Sequence, residues 1–258
     1  MVSSEQSESE IMTSKSKQNS TITTKEIRAL RRVYDKLCFI SDKKPKFDRI
    51  SLLDKKMLEL KIPGNKLESI QPAIDMLDKE RKKVENELKE ITSRHDQHIR
   101  SQDTRLAMNS LGERLSKKEI NSMMWEVDEK LDGVIDWEEF KLMFERNIKD
   151  TSGLEPSNFY NMAQFMIYDH DGNGMVSIDE TMNMLYARVG RTKMETTITK
   201  LFGGEDGAPI KEVGQQGGEI DFQRYCDVVK KEQLKMFRDS DFGRTLHEKK
   251  KATEKIAK

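Results

Sequence analysis

The sequence predicts an all-α protein: helix, acidic loop, helix units paired in two lobes, each pair joined by a short β-ladder between its loops, behind an N-terminal helical extension. Three observations lead there. Residues 169–180 read DHDGNGMVSIDE and residues 128–139 read DEKLDGVIDWEE, two acidic twelve-residue stretches with glycine sixth and glutamate last. Apolar residues recur at helical spacing on both sides of each stretch. Charged residues are 36% of the 258 and apolar ones 35%, at a mean hydropathy of -0.79, which suits strongly solvated helices around modest cores.

From the N-terminus, residues 1–23 are rich in Ser, Thr, Glu and Gln and read as a disordered tail, with too little apolar surface to offset the entropy of ordering. Residues 24–76 form the expected helical extension or docking segment. Ile27, Leu30, Val33 and Leu37 give it a short amphipathic helix, and Pro45, Pro63 and Gly64 break residues 43–71 into short helices and turns. A longer helix starts just before or at Pro72. Its stripe of Ile74, Leu77, Val84, Leu88 and Ile91 is interrupted by Arg81, and serves either a neighbouring helix or a coiled-coil contact with another chain.

Ser116 and Glu119 make a capping box ahead of Ile120, Met123, Met124 and Val127. Phe140, Met143 and Phe144 resume the stripe after the first acidic loop. Phe159, Met162, Phe165 and Met166 precede the second, and Met182 and Leu185 follow it. Residues 236–258 end in a basic tail carrying Lys249, Lys250, Lys251, Lys255 and Lys258, either a solvated end or a contact for acidic tubulin tails or phosphate.

The loops carry the chemistry. Calcium takes six to eight oxygens, which a twelve-residue loop supplies from positions 1, 3, 5, 7 and 9 and a bidentate glutamate at 12. In residues 169–180 these are Asp169, Asp171, Asn173, the Met175 carbonyl, Ser177 (directly or through water) and Glu180, with Gly174 at the turn and Val176 entering the ladder. In residues 128–139 they are Asp128, Asp132, the Val134 carbonyl, Asp136 and Glu139, with Gly133 and Ile135 in the equivalent places. Position 3 is Lys130, which offers no acceptor and brings positive charge to the ion's position. With its stem turned outward, a weak or magnesium-tolerant site would survive.

This pattern resembles the EF-hand calcium-binding superfamily, whose members include calmodulin, troponin C and centrin. The resemblance implies calcium as the cofactor and hands that pair through their position-8 segments. A start-to-start spacing of about 36 residues, as in calmodulin-like pairs, places a ligand-poor partner at residues 92–103, TSRHDQHIRSQD. Ile99 then stands at position 8 and Asp103 at 12, while Thr92, Arg94, Asp96 and Arg100 make a poor cage and Gln97 replaces the glycine. His95 and His98 lack the further ligands of a zinc site. The partner of residues 169–180 falls at 213–224, VGQQGGEIDFQR, with Gly218 and Ile220 in register but Val213 first and Arg224 last. An oxygen-rich alternative there would use Glu205, Asp206 and Asp221. The lobes are then residues 77–149 and 156–235, joined by NIKDTSGLEPS.

Members of the superfamily that act as sensors open an apolar groove for a partner helix when calcium binds. Met162, Met166, Met182 and Met184 supply either such a groove or plain core. The expected function is a calcium-binding adaptor or sensor with a fixed N-terminal lobe and a responsive C-terminal one. The alternative is a structural subunit with little switching. No nucleophile with its base and no phosphate loop points to an enzyme. Residues 123–148, MMWEVDEKLDGVIDWEEFKLMFERNI, also resemble axonemal EF-hand proteins such as the calcium-binding subunit of the outer-dynein-arm docking complex. That resemblance implies coiled-coil or microtubule-associated protein partners in a cilium, flagellum or cytoskeleton. The 46 basic and 46 acidic residues cancel, which argues against nucleic acid as a partner. Two distant cysteines, Cys38 and Cys226, and no long apolar run suit a reduced, cytoplasmic setting without a membrane span.

Overall fold

A computed structural model describes residues 22–61, 67–182, 196–202 and 218–247. The expectations for residues 1–21, for Pro63, Gly64, Met184 and Leu185, for Glu205 and Asp206, and for the lysines beyond residue 247 lie outside the described residues. Among those described, no helix is long and apolar enough to cross a membrane.

Helix α1 (Thr24–Leu37) opens on a capping box, with Thr23 Oγ1 accepting from Glu26 N at 3.2 Å and Glu26 Oε2 accepting from Thr23 N at 2.9 Å. Helix α2 spans Ile40–Leu60 without interruption, where the sequence suggested short helices and turns. Pro45 lies in its second turn, so the break it imposes is confined near the start. The rest of α2 is held by α3 (Leu67–Thr92), which begins five residues ahead of Pro72 and packs on α2 as an antiparallel hairpin. Leu53 is fully buried, and ion pairs join Lys46 to Glu87, Arg49 to Glu80 and Arg81 to Asp54. Exposed pairs of this kind add little stability each, but they keep the two helices in register. Of the two roles open to α3, packing within the chain is the one observed.

Helices α4 (Ser101–Ser110), α5 (Lys117–Trp125), α6 (Trp137–Lys149), α7 (Asn158–Tyr168) and α8 (Phe222–Asp239) flank the loops. The capping box at Ser116 and Glu119 is formed, with both reciprocal hydrogen bonds. Strands β1 (Ile99–Arg100) and β2 (Val134–Ile135) pair antiparallel with Ile99 opposite Ile135. Strands β3 (Met175–Ser177) and β4 (Glu219–Asp221) do the same with Val176 opposite Ile220. The four position-8 residues therefore meet in pairs, and all four are buried. Such short ladders persist because each central pair inserts into the core on one face. Gly218 lets the Ile178 side chain lie against the backbone, since a Cβ there would stand 2.6 Å from Ile178 Cδ1 and turn that side chain aside.

Among the described residues most buried apolar side chains form one cluster, running from Ile22 to Cys226, while Leu53 and Val84 are buried outside it, on α2 and α3. Several contacts among the described residues join the pairs. Phe140 of α6 meets Phe159 of α7 edge to face at 6.0 Å. Glu126, at the end of α5, caps α7 by accepting from Asn158 Nδ2 at 2.6 Å and Phe159 N at 3.0 Å. Helix α1 spans both pairs, with Tyr34 5.4 Å from the Trp137 and Phe140 rings and Leu30, Val33 and Leu37 buried. The connection between α6 and α7 is a tight turn in which Asp150 accepts from Ser152 N, Ser152 Oγ and Glu155 N. Met162 and Met166 are core residues, while Met182 lies at the core's edge.

Candidate metal centre

The loop at residues 169–180 begins where α7 ends. Two glycines with positive φ, Gly172 at +77° and Gly174 at +83°, turn the chain back on itself, a conformation other residues reach only with strain. Asp169 Oδ1 accepts from Gly172 N at 2.8 Å and its Oδ2 from Gly174 N at 3.2 Å. Asp171 Oδ1 accepts from Asn173 N at 3.0 Å, and Asn173 Oδ1 from Met175 N at 2.6 Å. Glu180 closes the ring: Oε1 accepts from His170 N at 3.0 Å, and Oε2 from Ser177 N and Ser177 Oγ, both at 3.0 Å. Ligand oxygens of Asp169, Asp171 and Glu180 come within 4.8 Å of one another, the one such acidic group among the described residues. Asp169 is buried, and burial pushes its carboxyl above the usual range despite the Gly174 and Gly172 N–H groups and the charge of Lys36. Three carboxylates converging beside an amide oxygen, a hydroxyl and a main-chain carbonyl form a hard-oxygen donor set that fits calcium.

The loop at residues 128–139 keeps the same backbone frame, with Gly133 at φ +81° and Leu131 at +58° where the other loop has Gly172. Asp128 Oδ2 accepts from Gly133 N at 2.9 Å, and Glu139 Oε2 from Asp136 N at 3.0 Å. The difference is Lys130. Its stem does not turn outward: the ammonium forms an ion pair with Asp136, while its backbone N–H donates to Glu139 Oε1 at 3.0 Å. Partial burial raises the Asp136 carboxyl, but the Lys130 hydrogen bond and charge together with the Glu139 and Glu138 N–H groups outweigh it and hold the group below its usual range. A cation of the chain thus pairs with one of the expected ligands, Asp136.

In residues 92–103 the substitution goes further. Asp103, at position 12, is fully buried and accepts from Arg100 Nε at 2.8 Å, Arg100 N at 3.0 Å, Ser41 N at 2.9 Å and Ser41 Oγ at 2.7 Å. Arg100 also reaches Asp42 at 3.0 Å and covers the Phe39 ring. His98 stacks edge-on against Phe39, a packing role rather than a ligand's. Burial raises the Asp103 carboxyl, but the Arg100 and Ser41 hydrogen bonds outweigh it and hold the group below its ordinary value. Its stabilising effect is therefore complete above the ordinary carboxylate pKa of about 4 and is lost as pH falls through the depressed value. Arg100→Ala, which strands a buried carboxylate, is expected to cost about 3 kcal/mol in urea unfolding at pH 7. Asp103→Asn should flatten the acid limb of the stability curve below about pH 4. An Arg100→Ala chain as stable as wild type would show that the pair holds nothing together.

In the loop at 213–224, only residues from Gly218 on are described. There Asp221 caps α8 by accepting from Arg224 N at 2.8 Å, so it serves a helix end.

Sequence reading did not foresee the role of α1. The Arg32 guanidinium donates to the carbonyls of Met166 at 3.3 Å, Ile167 at 3.1 Å and His170 at 3.2 Å, closing the C-terminal end of α7 where the loop begins. Lys36 Nζ lies 3.1 Å from the place of a Cβ on Gly172. The signal available was the basic run Arg28, Arg31, Arg32 and Lys36, of which Arg31 pairs locally with Asp35 while Arg32 reaches the main-chain carbonyls of α7 and the loop after it.

Residues 102–147 match the EF-hand domain pair family. The chain is 25% identical over 133 residues to calcium-binding protein CML19 of Arabidopsis thaliana, covering 52% of this chain and 72% of that protein. It is 29% identical over 146 residues to probable calcium-binding protein CML25 of Arabidopsis thaliana (56% and 71%), and 27% identical over 134 residues to probable calcium-binding protein CML13 of Oryza sativa (52% and 72%). The matched pair contains the β1–β2 ladder's second loop and the two helices around it. Taken with the paired position-8 residues and the oxygen ring at 169–180, these similarities place an EF-hand pair at residues 102–147 and liken the chain to calcium-binding proteins of that kind.

Proposed function

We propose that this protein is a calcium-responsive adaptor with a single working loop, residues 169–180, liganded by Asp169, Asp171, Asn173, Met175, Ser177 and Glu180. The observation that carries this reading is an asymmetry between loops. At 169–180 the carboxylates converge on one another, whereas at 128–139 and 92–103 a lysine and an arginine of the chain pair with them. Asp128, Asp132, Val134, Asp136 and Glu139 then form a locked frame, and the first pair works as a fixed anchor. Calorimetric calcium titration of the full chain in physiological magnesium tests this. One site in the sensor range of about 10⁻⁷ to 10⁻⁵ M is expected. Two equal sites or none would overturn the division of labour.

One observation favours the structural alternative. Helix α1 already packs on α7 through buried apolar residues, the kind of contact a captured partner helix would make. Fluorescence of an apolar dye during the same titration separates the readings. A rise with calcium supports an adaptor that exposes new surface, and a flat response supports a structural subunit. We further infer protein partners of coiled-coil or microtubule-associated kind in a cytoplasmic, ciliary or cytoskeletal setting, supported by the resemblance of residues 123–148 to axonemal proteins.

A further inference from the structure

Beside the loop at residues 169–180, an open cleft of about 580 Å³ lies between α1 and the end of α7. Lys25, Arg28 and Arg32 line it from α1. Their spacing of three and four residues puts all three on one helix face, and Lys36 continues the stripe towards Gly172. From the other side come Asp171 and Glu180, two of the carboxylates that converge in the loop. Ala29, Ile167 and the rings of Tyr168 and His170 complete the lining. The charges of the two walls do not consume each other. Arg32 donates to main-chain carbonyls, Arg28 is exposed with no carboxylate partner among the described residues, and Asp171 and Glu180 accept from N–H groups of their own loop.

We propose that this cleft docks an acidic peptide segment of a partner protein, and that neutralising the loop's carboxylates strengthens the docking. Three cations facing two carboxylates leave a balance of one positive charge, which a calcium ion in the loop would raise to three. The partner's carboxylates are then drawn in more strongly after calcium binds, with no helix movement required. Calcium's part in this rests on the reading of residues 169–180 as the working loop, whereas the cationic face of α1 stands without it. The occupant follows from the shape of the charge. Arg32 stands seven positions after Lys25, about 10 Å along the helix, the reach of roughly three residues of extended chain. Two or three carboxylates on such a segment can address all three cations while its backbone and side-chain stems cover Ala29, Ile167 and Tyr168. An isolated phosphate is too short to span the stripe and leaves that apolar surface in water.

The probe is dye-labelled hexaglutamate, titrated into the full chain at low salt and followed by fluorescence anisotropy, with calcium binding read by calorimetry on the same samples. Saturable binding is expected, about 10-fold tighter with calcium than in calcium-free buffer and lost at about 1 M salt. Arg28→Glu, at an exposed position without a carboxylate partner, should weaken the peptide about 10-fold and leave the calcium stoichiometry unchanged. Asp171→Asn removes one of the cleft's negative charges without any ion, so in calcium-free buffer it should bind the peptide about three-fold more tightly than wild type. Calcium heat with no change in peptide affinity overturns the coupling while the calcium reading stands. Absence of calcium heat, with the gain in Asp171→Asn intact, removes the calcium reading and supports the peptide site. Arg28→Glu binding as tightly as wild type, or no gain in Asp171→Asn, overturns the site itself. Displacement of the peptide by inorganic phosphate at an equal concentration of charge would assign the cleft to a small anion and overturn the peptide as its occupant.

Discussion

Glu180→Gln is expected to abolish calcium binding in the sensor range, weakening the loop at 169–180 by at least about 100-fold. Glutamate at position 12 supplies two of the ion's oxygens and a full negative charge; glutamine supplies one oxygen and none of the charge. The loop should keep its shape. The acceptor that glutamine retains can still receive His170 N or Ser177 N, and the left-handed turns at Gly172 and Gly174 are independent of the side chain. Circular dichroism without calcium should therefore match wild type, and calorimetry with calcium should show no heat above dilution in the micromolar range. Glu139→Gln is the matched control, expected to leave the calorimetric trace unchanged because Lys130 already occupies that loop's charge balance. Calcium binding retained by Glu180→Gln and lost by Glu139→Gln would reverse the assignment of the working loop.

The second large effect is a gain. Lys130→Asp should raise the calcium stoichiometry from one to two per chain. The frame for a second ion is in place, since Gly133 and Leu131 already hold the backbone angles that Gly174 and Gly172 hold in the other loop. The substitution removes the ammonium that pairs with Asp136, frees Asp136 Oδ2, and adds a carboxylate at position 3. Without calcium the variant loses its internal cation among Asp128, Asp132, Asp136 and Glu139, so its thermal midpoint should fall. Saturating calcium should restore it. Lys130→Ala separates the two contributions, relieving the pairing without supplying a ligand, and should show weaker binding than Lys130→Asp. One site per chain in Lys130→Asp would mean that Leu131, strained at φ +58°, or the rigid neighbouring pair limits the loop instead.

The parts of this molecule that could be read from sequence are those whose physics is local. Twelve-residue ligand spacing is such a rule, and so is a β-branched residue at position 8, which is why Ile99 and Val176 could be matched to Ile135 and Ile220 before any ladder was seen. Ser116 with Glu119 is local in the same sense. Helix α2 was missed because Pro45 is a strong local signal, while the compensating packing comes from α3, whose Glu80 and Glu87 lie more than thirty residues away. Arg100 and Asp103 stand three apart and could have been paired on spacing alone, but the two donors from Ser41 reach across 62 residues. Arg32 was invisible for a different reason. Its acceptors are main-chain carbonyls, which every residue carries and no side-chain pattern marks.

The Arg32 clasp makes calcium and the first helix rivals. The C-terminal end of α7 carries the negative end of the helix dipole, which favours a cation in the adjoining loop. Arg32 already spends part of that field by binding three of its carbonyls, and Lys36 adds positive charge beside Gly172. Two cations drawing on one negative pole weaken each other by the same factor, whichever arrives first. A fragment beginning after residue 37 would thus hold calcium more tightly at this pole than the whole chain does, even as its core lost Leu30, Val33 and Leu37.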